Sequence, residues 1–256
     1  MEKHDIETME DQRYAVIDAV RGFAIVNMIA FHAVWDLVYL YDVDWQWLAA
    51  RGGVLWQQMI CWMFILVSGF CLPLSRHPLQ HGVEVSLAGL AVTMTTLVLE
   101  PQMLIVFGVL TLLGICMILC GLAAPLLSRG QRHPLLWLVV AMVLFALLWP
   151  IRDGYVGVGS WQLLTIPDGW YANLVTTFFG LPARDFYSAD YFPLFPWLFL
   201  FIAGYYLYII AERRHWLPLL VKSHSRFLEW AGRHSLLIYL LHQPVIYVLL
   251  RPFFPS

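Results

Sequence analysis

Asp18, Arg21, His32 and Asp36 are four ionisable side chains inside one apolar segment, IDAVRGFAIVNMIAFHAVWDL. On a helix, at about 100° per residue, Asp18 and Asp36 point the same way, and Arg21 and His32 lie within roughly 60° of them. Arg21 and His32 then sit about 16 Å apart along the axis. A charged group in hydrocarbon is costly, so such residues turn toward a protein interior or a wet cavity. A single titratable stripe is therefore expected to mark a functional surface.

Each residue type brings its own chemistry. Imidazole exchanges protons near neutral pH, which suits His32 to general-base work on a hydroxyl or amine, or to accepting an acyl group as nucleophile. Asp36, one turn on, is within reach of one ring nitrogen and would orient the other, as a triad carboxylate does. Arg21 is a fixed cation whose fork matches phosphate. Asp18 would aim that fork or neutralise it through an i,i+3 pair.

Three further groups carry polar chemistry. His242 and Gln243 stand with Pro244 inside the last apolar stretch, YLLHQPVIYVL, where the proline frees a backbone carbonyl and can bend the helix. Arg233, with His234 and Ser235, opens that stretch as a basic entrance able to meet an anionic cofactor. Asp190 and Tyr191 pair a carboxylate with an aromatic ring, the combination that holds sugar hydroxyls and apolar sugar faces. For all of these residues a packing, capping or charge-neutralising role competes with the chemical one. Cys61, Cys71, Cys116 and Cys120 lie in apolar segments without histidines at zinc spacing. They read as packing residues, and no metal site is expected.

The elements that must position these groups are helices. Apolar segments over 15–39, 54–75, 83–99, 103–123, 135–150, 194–212 and 234–250 predict an all-α, polytopic membrane bundle of about seven transmembrane helices. Breakers separate them: Arg51-Gly52-Gly53, Arg76-His77-Pro78, Glu100-Pro101 and Ser128-Arg129-Gly130. The connection over 151–193 is long enough to be functional in its own right, with a short interfacial helix expected near 170–179. Lys3, Arg13, Arg76, Arg129, Arg132, Arg213, Arg214, Lys222, Arg226 and Arg233 fall on one side of this topology. Arg51, Arg152, Arg184 and Arg251 fall on the other. That asymmetry predicts a cytoplasmic N-terminus.

Composition sets the class. With 61% hydrophobic and 12% charged residues, the chain is too apolar for a soluble globular domain, and its principal partner is the lipid bilayer. A net charge of −2 without any basic cluster argues against nucleic acid as a partner. The opening MEKHDIETMEDQRY is polar and acidic, unlike a cleavable signal peptide. No repeat or linker divides the sequence, so one transmembrane domain over residues 1–256 is expected.

The run D-x-x-R-G-x-A-I-x-x-M-I-x-x-H, Asp18 to His32, resembles the bacterial membrane proteins related to the catalytic domain of heparan-α-glucosaminide N-acetyltransferase. The Arg21–His32 spacing is similar to the Arg-x10-His motif of acyltransferase-3 membrane proteins. FILVSGF (64–70), VFGVLTLLG (106–114), DYFPLFPWL (190–198) and GRHSLLIYLLHQPV (232–245) extend the resemblance in order along the chain. It implies an acetyl-CoA-dependent acyltransferase of the bacterial inner membrane. The acetyl group would pass from the CoA thioester to an amine or hydroxyl of a cell-envelope sugar, with His32 and Arg21 as the functional pair and acetyl-CoA as co-substrate. Two departures stand out. Thr111 occupies a position where the family often has histidine. The stretch 41–53, where the eukaryotic enzyme carries its proposed catalytic histidine, has none. His32 is therefore the histidine left to serve.

Two other classes fit parts of the pattern. A proton or small-molecule transporter would use the stripe as an ionisable relay. A haem or quinone redox protein would use His32 and His242 as ligands. A purely structural membrane subunit is the plainest reading.

Overall fold

The computed structural model describes residues 14–254, and Lys3 and Arg13 of the charge argument lie outside them. The described chain is mostly helical. In order it forms α1 (Ala15–Tyr39), α2 (Arg51–Cys71), α3 (Pro78–Leu99), α4 (Val109–Leu122), α5 (Ala124–Gly130) and α6 (Pro134–Leu148). A hairpin of β1 (Tyr155–Val158) and β2 (Trp161–Thr165) follows, then α7 (Leu174–Phe179), α8 (Leu194–Arg213), α9 (Arg226–Arg233) and α10 (Ser235–Leu250). Five helical stretches, α1, α2, α3, α6 and α8 with their short flanking turns, are long and apolar enough to cross a membrane. A sixth span results if α4 and α5, bent by 76° at their junction, are taken together. The chain is therefore a multi-pass membrane protein.

The expected count of seven meets its limit at α10. This helix has 16 residues, or about 24 Å at 1.5 Å per residue, short of a typical hydrocarbon core of about 30 Å. Two helices start earlier than their breakers suggested. Gly52 and Gly53 lie inside the first turn of α2, where Gly53 packs so tightly against the Leu48 carbonyl that a side chain would collide with it. Pro78 begins α3 at its first helical position, where its missing N–H goes unneeded. The fourth segment starts at Val109 rather than 103. Residues Pro101–Met103 form a 3-10 turn, and Phe107 takes a φ of 57°, in the left-handed region that ends regular structure.

Contacts divide the chain into two compact units. One holds residues up to Val67 and from Ala211 onward; the other holds Ser68–Ile210. In the first, α9 and α10 both pack on α1. The buried residues of α1 are Asp18, Gly22, Ala24, Ile25, Met28, Phe31 and Asp36, a helical stripe with carboxylates at both ends and apolar side chains between. Its middle joins a core with Leu48, Ile60 and Ala231, flanked by Trp56, Ile238 and Tyr239. The α1–α9 crossing is close because it is glycine on glycine. A Cβ on Gly22 would strike the Leu228 carbonyl, and one on Gly232 would strike the Asp18 carbonyl.

In the second unit, α3 packs along α4 through small residues. Gly82, Ser86 and Gly89 face Gly114 and Thr111, an arrangement that lets apolar helices approach without a hydrophobic driving force. Thr111 thus fills a packing position against Gly89. The other face of α3 presents Leu87, Leu90, Met94 and Val98, all exposed, as a lipid-facing surface requires. Gly69 meets the Phe201 backbone on α8, the close crossing that FILVSGF suggests. Cys61, Cys71, Cys116 and Cys120 form no disulfide, and the last two are buried.

The 151–193 connection is more ordered than its composition implies. Helix α7 lies within the expected interfacial stretch, capped by Asn173, whose side chain accepts from the Val175 and Thr176 amides. The β-hairpin is an addition to the all-α expectation. Its strands are four and five residues long and antiparallel, joined at Gly159, whose φ of 58° suits a tight hairpin turn.

Candidate functional site

Helix α1 carries its polar groups as two clusters in the first unit. Near its start, buried Asp18 lies 3.7 Å from Arg21 and 3.7 Å from Arg233, and Arg233 reaches Glu229 at 3.4 Å. Arg233 is the last residue of α9, so the sequence expectation that it opens the final apolar helix is corrected. A separate eight-residue helix, capped by Ser225 Oγ accepting from the Leu228 amide, delivers the guanidinium from the side. Two cations thus flank one carboxylate. Side-chain exposures of 27% for Arg21 and 43% for Arg233 keep both guanidiniums partly accessible.

Further along α1, His32 and His242 stand ring to ring, with centroids 4.8 Å apart and planes tilted by 56°. Phe31 holds the His32 ring edge-on at 6.0 Å and also packs on Trp56, whose indole N–H donates to Asn27 Oδ1 at 3.0 Å. Asp36, 2% exposed, accepts from Gln243 Nε2 at 2.9 Å. The triad-like expectation has Asp36 orienting His32. In the structure the Gln243 amide takes that carboxylate, and His32 faces the His242 ring instead. His242 Nδ1 lies in hydrogen-bonding contact with the Tyr239 carbonyl. Two buried atoms beside this cluster, His242 Nε2 and Gln243 Oε1, have no hydrogen-bond partner among the described residues.

The first unit therefore gathers Asp18, Arg21 and Arg233 into one cluster, and His32, Asp36, His242 and Gln243 into the other. Asp190 and Tyr191 belong to the second unit, where both have structural duties. Asp190 Oδ2 accepts from the Val109 amide at 3.2 Å, capping α4 rather than α8, the helix that its own segment leads into. Tyr191 donates its hydroxyl to the Thr177 carbonyl at 2.5 Å and lies under the Arg152 guanidinium, 5.0 Å from the ring centroid. Burial raises the Tyr191 phenol well above its ordinary range, against a smaller opposing pull from Arg152, so it stays protonated and donates. Sequence reasoning passed over Glu229 and helix α9. The available signal was a Ser N-cap before RFLEWAGR, with apolar and polar residues at helical spacing.

No group of three or more His, Cys, Asp or Glu able to hold a metal ion occurs among the described residues. The family described as heparan-alpha-glucosaminide N-acetyltransferase, catalytic, matches residues 13–244. The chain belongs to that family. No curated protein and no solved structure matches it. The matched stretch runs from before α1 into α10 and takes in both polar clusters of the first unit together with Asp190 and Tyr191. Membership in the heparan-alpha-glucosaminide N-acetyltransferase catalytic family identifies the chain as a membrane protein of an acetyltransferase family.

Proposed function

We propose that this protein is an acetyl-CoA-dependent acetyltransferase of the bacterial inner membrane, acting on an amine or hydroxyl of a cell-envelope sugar. The family match over residues 13–244 carries the reading, and the chemistry along α1 gives it a mechanism. The excess of Lys and Arg on one side supports a cytoplasmic N-terminus, which would put the Arg21–Arg233 pair at the cytoplasmic mouth. There two guanidiniums would hold the phosphates of CoA, with Asp18 keeping them aligned. The Arg21–His32 spacing further suggests kinship with acyltransferase-3 proteins.

His32 is the group we place at the reacting centre. The acceptor nitrogen or oxygen attacks the thioester carbonyl as His32 takes its proton. The new C–N or C–O bond forms, the C–S bond breaks, and the departing thiolate of CoA receives the proton back from the imidazole. His242, against the His32 ring, restricts the orientations open to it.

Purified protein in nanodiscs, given radiolabelled acetyl-CoA and an amino sugar, tests this directly. Acetylated sugar and free CoA should appear together, and His32→Ala should abolish both while leaving the melting transition in place. Undiminished transfer by His32→Ala would remove the mechanism. Substrate flux across vesicles without any CoA release would favour the transporter instead.

A further inference from the structure

Two adjacent side chains on α10 share an unusual condition: each keeps a buried acceptor that no described residue meets. The Tyr239 carbonyl can only accept, so His242 Nδ1 carries the proton of that contact. In the neutral ring this leaves Nε2 as a bare lone pair. The Asp36 carboxylate likewise accepts, so the Gln243 amide nitrogen faces it at 2.9 Å and the amide oxygen points elsewhere. Both remaining atoms, His242 Nε2 and Gln243 Oε1, are buried, and no described residue bonds to either. Pro244, next in sequence, has no N–H to offer the Leu240 carbonyl one turn back. This stretch of α10 thus offers two buried acceptors, His242 Nε2 and Gln243 Oε1, beside the second N–H of the Gln243 amide. Buried polar atoms are almost always satisfied, and the partner these two call for must supply hydrogen-bond donors.

We infer that His242 Nε2 and Gln243 Oε1 form the acceptor subsite of the transfer reaction, receiving two donors from neighbouring positions of an amino sugar: the reacting amine and an adjacent hydroxyl. The inference rests on the acetyltransferase reading and adds to it the polarity of the substrate. Groups without an N–H or O–H, such as ethers, bring no donors and are excluded. The His32 ring, 4.8 Å from that of His242, would then lie beside the bound amine. The Asp36–Gln243 hydrogen bond serves as the clamp that turns the amide oxygen toward the sugar, which makes Asp36 a positioning residue.

The test measures acetyl transfer to glucosamine and to 3-deoxyglucosamine by the full-length protein in nanodiscs, for wild type, His242→Phe and His242→Gln. Phenylalanine keeps the ring and removes the nitrogen. Glutamine restores an acceptor oxygen near the position of Nε2, and Gln243→Leu carries the test if the phenylalanine variant fails to fold. Removing an acceptor so that a buried donor is left unmet typically weakens binding by about 10–100-fold. His242→Phe is therefore expected to raise KM for glucosamine by about that factor while leaving KM for acetyl-CoA unchanged, and His242→Gln to recover part of it. Wild type should discriminate against the deoxy sugar, and a Gln243→Leu variant should lose that discrimination. If wild type transfers acetyl groups and neither KM for glucosamine nor the deoxy discrimination moves in these variants, the subsite is wrong and the acetyltransferase reading stands. If wild type acetylates neither sugar and releases no CoA, the acetyltransferase reading fails and the subsite falls with it.

Discussion

Gln243 and Asp36 are joined by a side-chain hydrogen bond of 2.9 Å between residues 207 positions apart in sequence. It ties the last helix to the first at a carboxylate that is 2% exposed. Asp36→Leu leaves the Gln243 amide hydrogen buried without an acceptor, at a cost of about 1–3 kcal/mol. Asp36→Asn keeps an oxygen in the same place and should retain most of the stability. Thermal unfolding in detergent, followed by tryptophan fluorescence, should show a melting point lowered by roughly 2–4 °C per kcal/mol for leucine and a smaller drop for asparagine. The double variant Asp36→Leu/Gln243→Leu should regain part of the loss, because both polar groups leave together. Equal losses for leucine and asparagine would show that the bond contributes nothing.

The crossing of α1 and α9 makes a second prediction. A methyl group on Gly22 or Gly232 meets backbone carbonyl oxygen, which cannot swing aside as a side chain can. Overpacking of this kind costs about 1–3 kcal/mol. It would also shift α9, which carries Arg233 to Asp18. Gly22→Ala and Gly232→Ala should each lower the melting point and the yield of monodisperse protein. Gly169→Ala, where nothing lies within 4 Å of the added Cβ, is the control and should behave as wild type. Normal melting of both crossing variants would show that the two helices can separate freely.

These two contacts also mark what a sequence can and cannot disclose. The apolar segments were legible because length and hydropathy are local properties. The common face of Asp18 and Asp36 was legible because helical period is local too. Helix α9 was hidden by its brevity: in eight residues a polar, amphipathic helix looks like a charged loop, and its reason for existing is Gly22, some 200 residues earlier in the chain. The β-hairpin escaped for a similar reason, since strands of four and five residues give too short an alternation to register. The partner of Asp36 was misread on geometric grounds. An i,i+4 neighbour such as His32 is always the nearest candidate on paper, and only the packing of α10 on α1 brings the Gln243 amide closer. The roles of Asp190 and Tyr191 likewise depend on which backbone passes beside them.

Asp190 supplies the clearest separation of a structural from a chemical role. Its Oδ2 accepts from Val109 at the start of α4, where the Gly108 N-cap has no side chain to do so. Loss of such a cap costs about 1 kcal/mol. Asp190→Ala should lower the melting point, and Asp190→Asn, which keeps an acceptor oxygen, should not. Any effect on acetyl transfer should follow the melting point across the two variants. Activity lost in Asp190→Asn at unchanged stability would instead return this carboxylate to the list of groups that touch substrate.

The Arg21–Arg233 pair makes the most direct prediction about the donor substrate. If these guanidiniums hold the CoA phosphates, removing one weakens acetyl-CoA binding and leaves the acceptor untouched. A hydrogen bond to a charged group contributes about 1.5–3 kcal/mol when well sheltered, and exposure reduces that through solvent screening. Arg21 is the more sheltered of the two, at 27% side-chain exposure against 43% for Arg233. Arg21→Gln should therefore raise KM for acetyl-CoA by about tenfold or more, where 1.4 kcal/mol corresponds to tenfold, and Arg233→Gln by less. Both effects should shrink as salt rises, because screening weakens exposed charges first. Arg233→Lys keeps the charge and should recover much of the Arg233→Gln loss; Arg21→Lys, at the more sheltered site, should recover less, since the planar fork matters more there. A KM for acetyl-CoA that neither glutamine variant changes, at low salt, would place the CoA phosphates somewhere other than this end of α1.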